Sequence, residues 1–192
     1  MTEGQNRKEL VRYARKAYKR HLVGGTGGNF SARISGGRMV VTASGISLGD
    51  TAEDNLITVR IDSYKWEPVK DYIPSKEYLY HADILRMRPD VGAVLHVHPP
   101  YTTTFAVKGR SIPMLTDAAF KQLPMPHVPY APSGSKELQE YIVQAIEENP
   151  ECKVLFLEKH GIAALGKDVR TAYDYADLIE ELARVAFLAE QL

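Results

Sequence analysis

The chain contains six histidines, and two of them, His96 and His98, are separated by one residue in the segment VGAVLHVH. That segment is apolar and rich in β-branched residues, so it reads as a buried strand, Val91–His98, ending at Pro99 and Pro100. On a strand, residues i and i+2 point to the same face, so both imidazoles can reach one ion. A catalytic metal site needs a third ligand and keeps a position open. His160 is the best candidate, because it follows the apolar run VLFLEK and precedes Gly161, where a buried strand reaches the surface. Glu77 stands at the start of the helical segment that leads into the HxH strand and is a candidate fourth group. Taken singly, each of these residues also fits a structural role. The HxH pair reads as two satisfied histidines, His160 as a turn residue, and Glu77 as a first-turn carboxylate favoured by the helix dipole. His81 lies four residues after Glu77 on the same helical face and reads as a packing histidine or a support for a ligand. His21 and His127 show no partner in sequence and read as structural.

The elements that must position these groups alternate between helical and strand patterns. A first helix is expected from Leu10, Tyr13, Ala14, Ala17, Tyr18 and Leu22 on one face, stopped by Gly24 and Gly25. The glycine-rich stretch GGTGGNFSAR follows as a segment tolerant of unusual backbone angles. Strands are expected at Met39–Thr42 and Leu56–Ile61, with the loop TASGISLGD between them. After Pro74, Ser75 is a plausible N-cap for a helix lined by Tyr78, Ala82 and Leu85, which Pro89 closes. Ser135–Glu148 reads as a further helix. Val154–Leu157 is a short strand, then comes a turn at Gly161 and another apolar stretch, and Asp168 caps a long last helix. Such alternation implies an α/β sandwich, with helices covering a largely antiparallel or mixed sheet.

Bulk properties exclude several classes. At 192 residues the chain suits one well-buried domain spanning 1–192. The formal net charge is zero, which argues against broad nucleic-acid binding while leaving room for a small basic pocket. The single cysteine, Cys152, permits no internal disulfide and fits a reducing, cytoplasmic setting. The N-terminus is charged throughout and lacks a signal-peptide core. No apolar run approaches the roughly 20 residues needed to span a bilayer, so no membrane role is expected.

Five segments in register, GGTGGNFSAR, TASG, PSKEYLYH, RPDVGAVLHVHPP and EKHGIAALGKD, together resemble the class II aldolase and adducin family, and most closely its L-fuculose-1-phosphate aldolase branch. The resemblance implies a three-layer α/β/α sandwich and a homotetramer with active sites at subunit interfaces. It also implies a zinc ion on His96, His98 and His160, with Glu77 both touching the metal and moving the proton. The implied phosphate pocket comprises Gly28, Asn29, Ser44, Gly45, Ser75 and its neighbour Lys76. Local chemistry agrees, since glycine-rich loops, hydroxyls and a helix start suit a phosphate dianion. The implied reaction is reversible retro-aldol cleavage of a small ketose phosphate through an enediolate. A sugar-phosphate 4-epimerase, a keto-acid phosphate decarboxylase and a non-catalytic adducin-like interaction protein are the alternatives. The chain departs from the aldolase pattern in three places. Lys76 replaces a second serine and offers phosphate a point charge. Asp117 stands near where a tyrosine is expected. The chain ends soon after its last helix, without the tail that supplies a tyrosine in many family members. Asp117 or Tyr130 is the expected partner for the departing aldehyde.

Overall fold

A computed structural model describes residues 2–121 and 125–192. Its centre is a seven-stranded sheet in the order β3-β2-β1-β4-β7-β6-β5. The strands are β1 Asn29–Ile34, β2 Arg38–Thr42, β3 Leu56–Arg60, β4 Ala93–Val97, β5 His127–Val128, β6 Val154–Leu157 and β7 Gly161–Gly166. All neighbouring pairs are antiparallel except β5 with β6. The sheet is therefore mixed and largely antiparallel, as the sequence implies.

Period-2 alternation sorts the strand side chains into two cores. On β4, Ala93, Leu95 and Val97 face a layer built from α1 (Glu3–Lys19), α3 (Pro100–Val107) and α6 (Val169–Ala189). Val94 faces the opposite layer, formed by α2 (Tyr78–Met87) and α5 (Lys136–Glu148). The amphipathic helices seal both faces. Leu10, Ala14 and Ala17 of α1 and Ile179 of α6 close one side, and Ile84, Leu138 and Ile142 close the other. Each of these leucine and isoleucine side chains, fully buried, contributes about 1.5–3 kcal/mol, and each alanine methyl less. A short α4 (Asp117–Phe120) precedes β5. Among the described residues no helix is long and apolar enough to cross a membrane.

The structure corrects four local expectations. First, α1 ends at Lys19, ahead of the glycines, with His21 in the left-handed region at φ 57°. Leu22 then turns into the core and Tyr18 stays 39% exposed. Second, GGTGGNFSAR is half strand. In β1, Phe30, Ala32 and Ile34 pack under α1 and α6, while Asn29 and Ser31 face α2 with polar partners. Third, the cap position of α2 is Glu77 rather than Ser75. The Ser75 hydroxyl instead accepts a hydrogen bond from the Glu77 N–H at 3.4 Å, forming the turn before the helix. Fourth, the reversal between β6 and β7 is made by Glu158–His160, with Lys159 at φ 55°, and Gly161 already belongs to β7. Asp168 caps α6 as read, accepting from Thr171 N–H at 2.7 Å. Ser135, read as the first helical residue, is the cap of α5, accepting from Leu138 N–H at 3.1 Å.

Candidate metal centre

His96 is the fourth residue of β4, in register with Asn29 of β1 on one side and Ala163 of β7 on the other. It shares the parity of Val94, so its ring projects toward α2. Its Nδ1 lies 2.9 Å from the Ile162 carbonyl oxygen. A carbonyl only accepts, so Nδ1 carries the proton and Nε2 presents its lone pair to the site. His98 lies one residue past the strand. Its backbone N–H donates to Leu22 O at 3.0 Å, which explains why α1 must end early: Leu22 has left the helix to hold this segment. Gly161 makes room beside it. A Cβ at that position would lie 2.4 Å from Val97 O and 2.8 Å from His98 Cδ2. His160 is set by the tight turn, its N–H donating to Leu157 O at 3.1 Å.

The three rings converge through Nε2. His98 Nε2 and His96 Nε2 are 2.8 Å apart, and His96 Nε2 and His160 Nε2 are 3.2 Å apart. All three ligand atoms lie within 4.8 Å of one another. A tetrahedral ion with metal–nitrogen distances of about 2.0–2.1 Å places its ligand nitrogens about 3.3–3.4 Å apart, close to this spacing. Burial penalises the charged imidazolium, driving His96 down to about 3 and His98 to about 4 and lowering His160 as well. At neutral pH the site is three neutral imidazoles with lone pairs directed at one region, which is the donor set of a divalent cation of borderline softness.

Glu77 completes the cluster. Its side chain is only 3% exposed, with Oε2 at 3.4 Å from His96 Nε2 and Oε1 at 3.7 Å from His160 Nε2. Asn29 Nδ2 donates to Oε2 at 2.7 Å, and the Ser133 hydroxyl donates to Oε1 at 2.8 Å. Burial opposes ionisation of Glu77. The neighbouring His96 and His160 outweigh it, with help from the Asn29 and Ser133 hydrogen bonds, and hold the carboxyl at about 2. The group is a carboxylate at neutral pH.

These residues open into a cavity of about 410 Å³. Gly28, Asn29, Ser44, Gly45, Ser75 and Lys76 all line it, together with Glu77, His98, His160 and Ser133. Gly28 has φ +71°, and a Cβ there would meet His96 O at 2.8 Å, so the loop that lines the cavity also packs directly on β4. A larger open cleft of about 990 Å³ lies between Arg38, Arg60, Trp66 and Tyr78. It contains none of the candidate site residues, whereas the smaller cavity joins the converging histidines and Glu77 to hydroxyl- and glycine-lined walls.

Not every candidate arrives there. Asp117 is exposed at the start of α4 and paired with Lys121. Tyr130 is 54% exposed, with the Lys159 ammonium 5.6 Å from its ring. Neither lines the cavity. His81 is fully buried and shares a 2.7 Å hydrogen bond with the Ser31 hydroxyl, apart from the converging Nε2 atoms. Sequence reasoning missed Ser133. Its Pro-Ser-Gly context reads as ordinary turn chemistry, and nothing local marks its reach to Glu77.

Comparison with known proteins follows the same lines. Residues 8–187 match the model of the family described as Class II Aldolase and Adducin N-terminal domain. The chain is similar to an L-fuculose phosphate aldolase of Methanococcus maripaludis strain S2, 30% identical over 185 residues, covering 96% of this chain and 97% of that protein. It is similar to a 5-methylthioribulose-1-phosphate/5-deoxyribulose-1-phosphate aldolase of Rhodospirillum rubrum, 34% identical over 178 residues, covering 91% and 76%. A solved structure of L-fuculose 1-phosphate aldolase superposes with a TM-score of 0.88 at 26% identity, covering 100% of this chain and 89% of that one.

Proposed function

We propose that this chain, which belongs to the class II aldolase and adducin family, is a metal-dependent carbon–carbon lyase cleaving a small ketose 1-phosphate by a reversible retro-aldol reaction. The observation that carries this reading is the convergence of three imidazole Nε2 atoms and one buried carboxylate at the mouth of a single polar cavity. His96, His98 and His160 would hold the ion, zinc by the character of the donors, with Glu77 alongside. Such an ion supplies Lewis-acid polarisation of the substrate's ketone oxygen and stabilises the negative charge that develops there.

The remaining work belongs to side chains. Gly28, Asn29, Ser44, Gly45, Ser75 and Lys76 bind the phosphate. Backbone N–H groups and hydroxyls provide directional donors, and Lys76 provides charge. Anchoring the phosphate fixes the carbon chain and turns binding into orientation of the reacting centre. In the synthesis direction Glu77, ionised, removes a proton from the carbon next to the ketone. In cleavage the hydroxyl of the departing carbon gives up its proton as its C=O forms, and the electron pair of the broken bond remains on the carbon next to the ketone. Glu77, having taken up a proton, delivers it to that carbon. Asn29 Oδ1 has no protein partner among the described residues and is an acceptor for a substrate hydroxyl. Asp117 and Tyr130 lie outside the cavity and would serve the aldehyde side only from a neighbouring copy. A homotetramer of cytoplasmic, single-domain chains with active sites at its subunit interfaces is the assembly that the family resemblance implies.

Incubation of the zinc-loaded protein with a panel of ketose 1-phosphates tests the reading. Release of dihydroxyacetone phosphate with a free aldehyde is the expected result. Formation of only a C4 epimer, or of carbon dioxide from a keto-acid phosphate, would replace it.

A further inference from the structure

The carboxylate of Glu77 is held by one donor on each oxygen, and the two donors come from different parts of the fold. Asn29 belongs to a central strand and holds Oε2, the oxygen nearer His96. Ser133 holds Oε1, the oxygen nearer His160. Ser133 lies on the loop before α5, outside the elements that carry the histidines. We propose that Ser133 is a positioning residue that sets the tilt of the Glu77 carboxylate, so that its two oxygens are shared between the His96 and His160 sides and the proton is transferred along a fixed line. This deepens the reading of Glu77 as the proton-transferring group and rests on it.

The loop is built for that task. Ser135 caps α5, and Leu138 and Ile142 anchor the helix in the core, so the chain at Ser133 is two residues from a fixed point. Ser135 N–H donates to Pro132 O at 2.9 Å, closing a tight turn around Ser133 and Gly134. Gly134, at φ +76°, passes so close to Lys76 that a Cβ there would lie 3.1 Å from Lys76 O. The turn is thus pressed against the backbone of the residue preceding Glu77. The Ser133 hydroxyl also lines the substrate cavity. Its single proton goes to Oε1, while its lone pairs stay free for a substrate hydroxyl. Removing the hydroxyl leaves Oε1 without this donor, and the carboxylate then pivots about the Asn29 contact.

A residue acting through Glu77 affects the proton step more than substrate binding. In Ser133→Ala, kcat and the exchange of the substrate C–H proton with deuterated water should fall together by about 10- to 100-fold, the effect of losing one hydrogen bond to a charged group. Zinc content should stay close to wild type, and kcat should fall by more than KM rises. The thermal midpoint should drop by several degrees, as loss of one hydrogen bond to a buried carboxylate requires. Ser133→Thr, which keeps the hydroxyl, should recover most of the loss. Crystals of metal-free Ser133→Ala should show the Glu77 carboxylate rotated from its wild-type position, a readout independent of turnover. If the alanine variant does not fold, Ser133→Cys supplies the weak-donor comparison. Wild-type exchange in the alanine variant, or failure of threonine to restore it, overturns the proposal. If wild-type protein exchanges no proton at all, the reading of Glu77 fails. The crystallographic comparison then decides the role of Ser133 separately: an unmoved carboxylate refutes it, and a rotated one sustains it.

Discussion

Replacing Glu77 by Gln separates the charge of this side chain from its shape. The carboxylate is 3% exposed and accepts from Asn29 at 2.7 Å and Ser133 at 2.8 Å. A glutamine amide fits the same space with its oxygen toward Asn29 and its NH₂ toward Ser133, whose hydroxyl reverses to accept. Two charge-assisted hydrogen bonds worth about 1.5–3 kcal/mol each become neutral ones worth about 0.5–1.5 kcal/mol. The variant in turn avoids burying a charge, which offsets part of that loss. The expected change in folding stability is therefore within about 2 kcal/mol, a shift of several degrees at most in a chain of this size. Ion binding should persist, because the three imidazoles are untouched. Proton transfer should not persist. A positioned acid–base group is worth about 10²- to 10⁴-fold, so exchange of the C–H proton beside the ketone should drop by that factor. The assay is deuterium incorporation into dihydroxyacetone phosphate, followed by NMR or mass spectrometry, alongside metal analysis. Exchange at the wild-type rate in a folded, metal-loaded Glu77→Gln protein would remove Glu77 from the mechanism.

Three other outcomes follow from the same geometry. His96→Ala and His98→Ala should each lose stoichiometric divalent metal and the activity with it, as read by metal analysis after purification; retention of a full equivalent would contradict the ligand assignment. Gly161→Ala places a methyl 2.4 Å from Val97 O, and the overpacking should cost about 1–3 kcal/mol. It should also weaken metal binding through His98, and an unchanged melting curve and metal affinity would count against the packing described. The metal-free protein should lose stability on acidification. The folded-state values of His96 and His98, about 3 and about 4, lie below the ordinary 6.5, so the unfolded chain binds more protons in that window. Their contribution is full above pH 6.5 and declines as pH falls toward 3, by up to about 1.4 kcal/mol per pH unit for each group. Thermal melts across that range, with a flat profile as the contrary result, check the sign.

The three converging histidines were legible in sequence because their signals are local. An HxH at the end of an apolar strand, and a histidine where another apolar strand reaches the surface, need no tertiary knowledge. The layers were legible for the same reason, since the apolar faces of α1, α5 and α6 repeat at helical spacing. What stayed hidden depends on distant partners. The segment PYTTTFAV carries three threonines and follows a proline, so it has weak helical propensity. It nevertheless forms α3, because Glu180 of α6 accepts from the Tyr101 and Thr102 N–H groups at 3.0 and 2.8 Å and caps its start. β1 was masked by the glycines before it and by buried Asn29 and Ser31, whose polarity is balanced only by Glu77 and His81 across the fold. The early end of α1 at Lys19 makes sense only once Leu22 O is seen receiving the His98 N–H. Ser133 escaped notice because a serine 56 positions away from its carboxylate leaves no periodic trace.

The histidine cage rides on β4 and the reversal between β6 and β7, while the carboxylate enters with the first residues of α2 and is braced from the α5 side. On the proposed reading, ion capture and proton handling would reside in separately adjustable parts. A substitution that nudges α2 would then alter proton transfer more than ion binding. A chain of this architecture can drift toward new substrates through its helices and loops while its most exacting arrangement of atoms stays as it is.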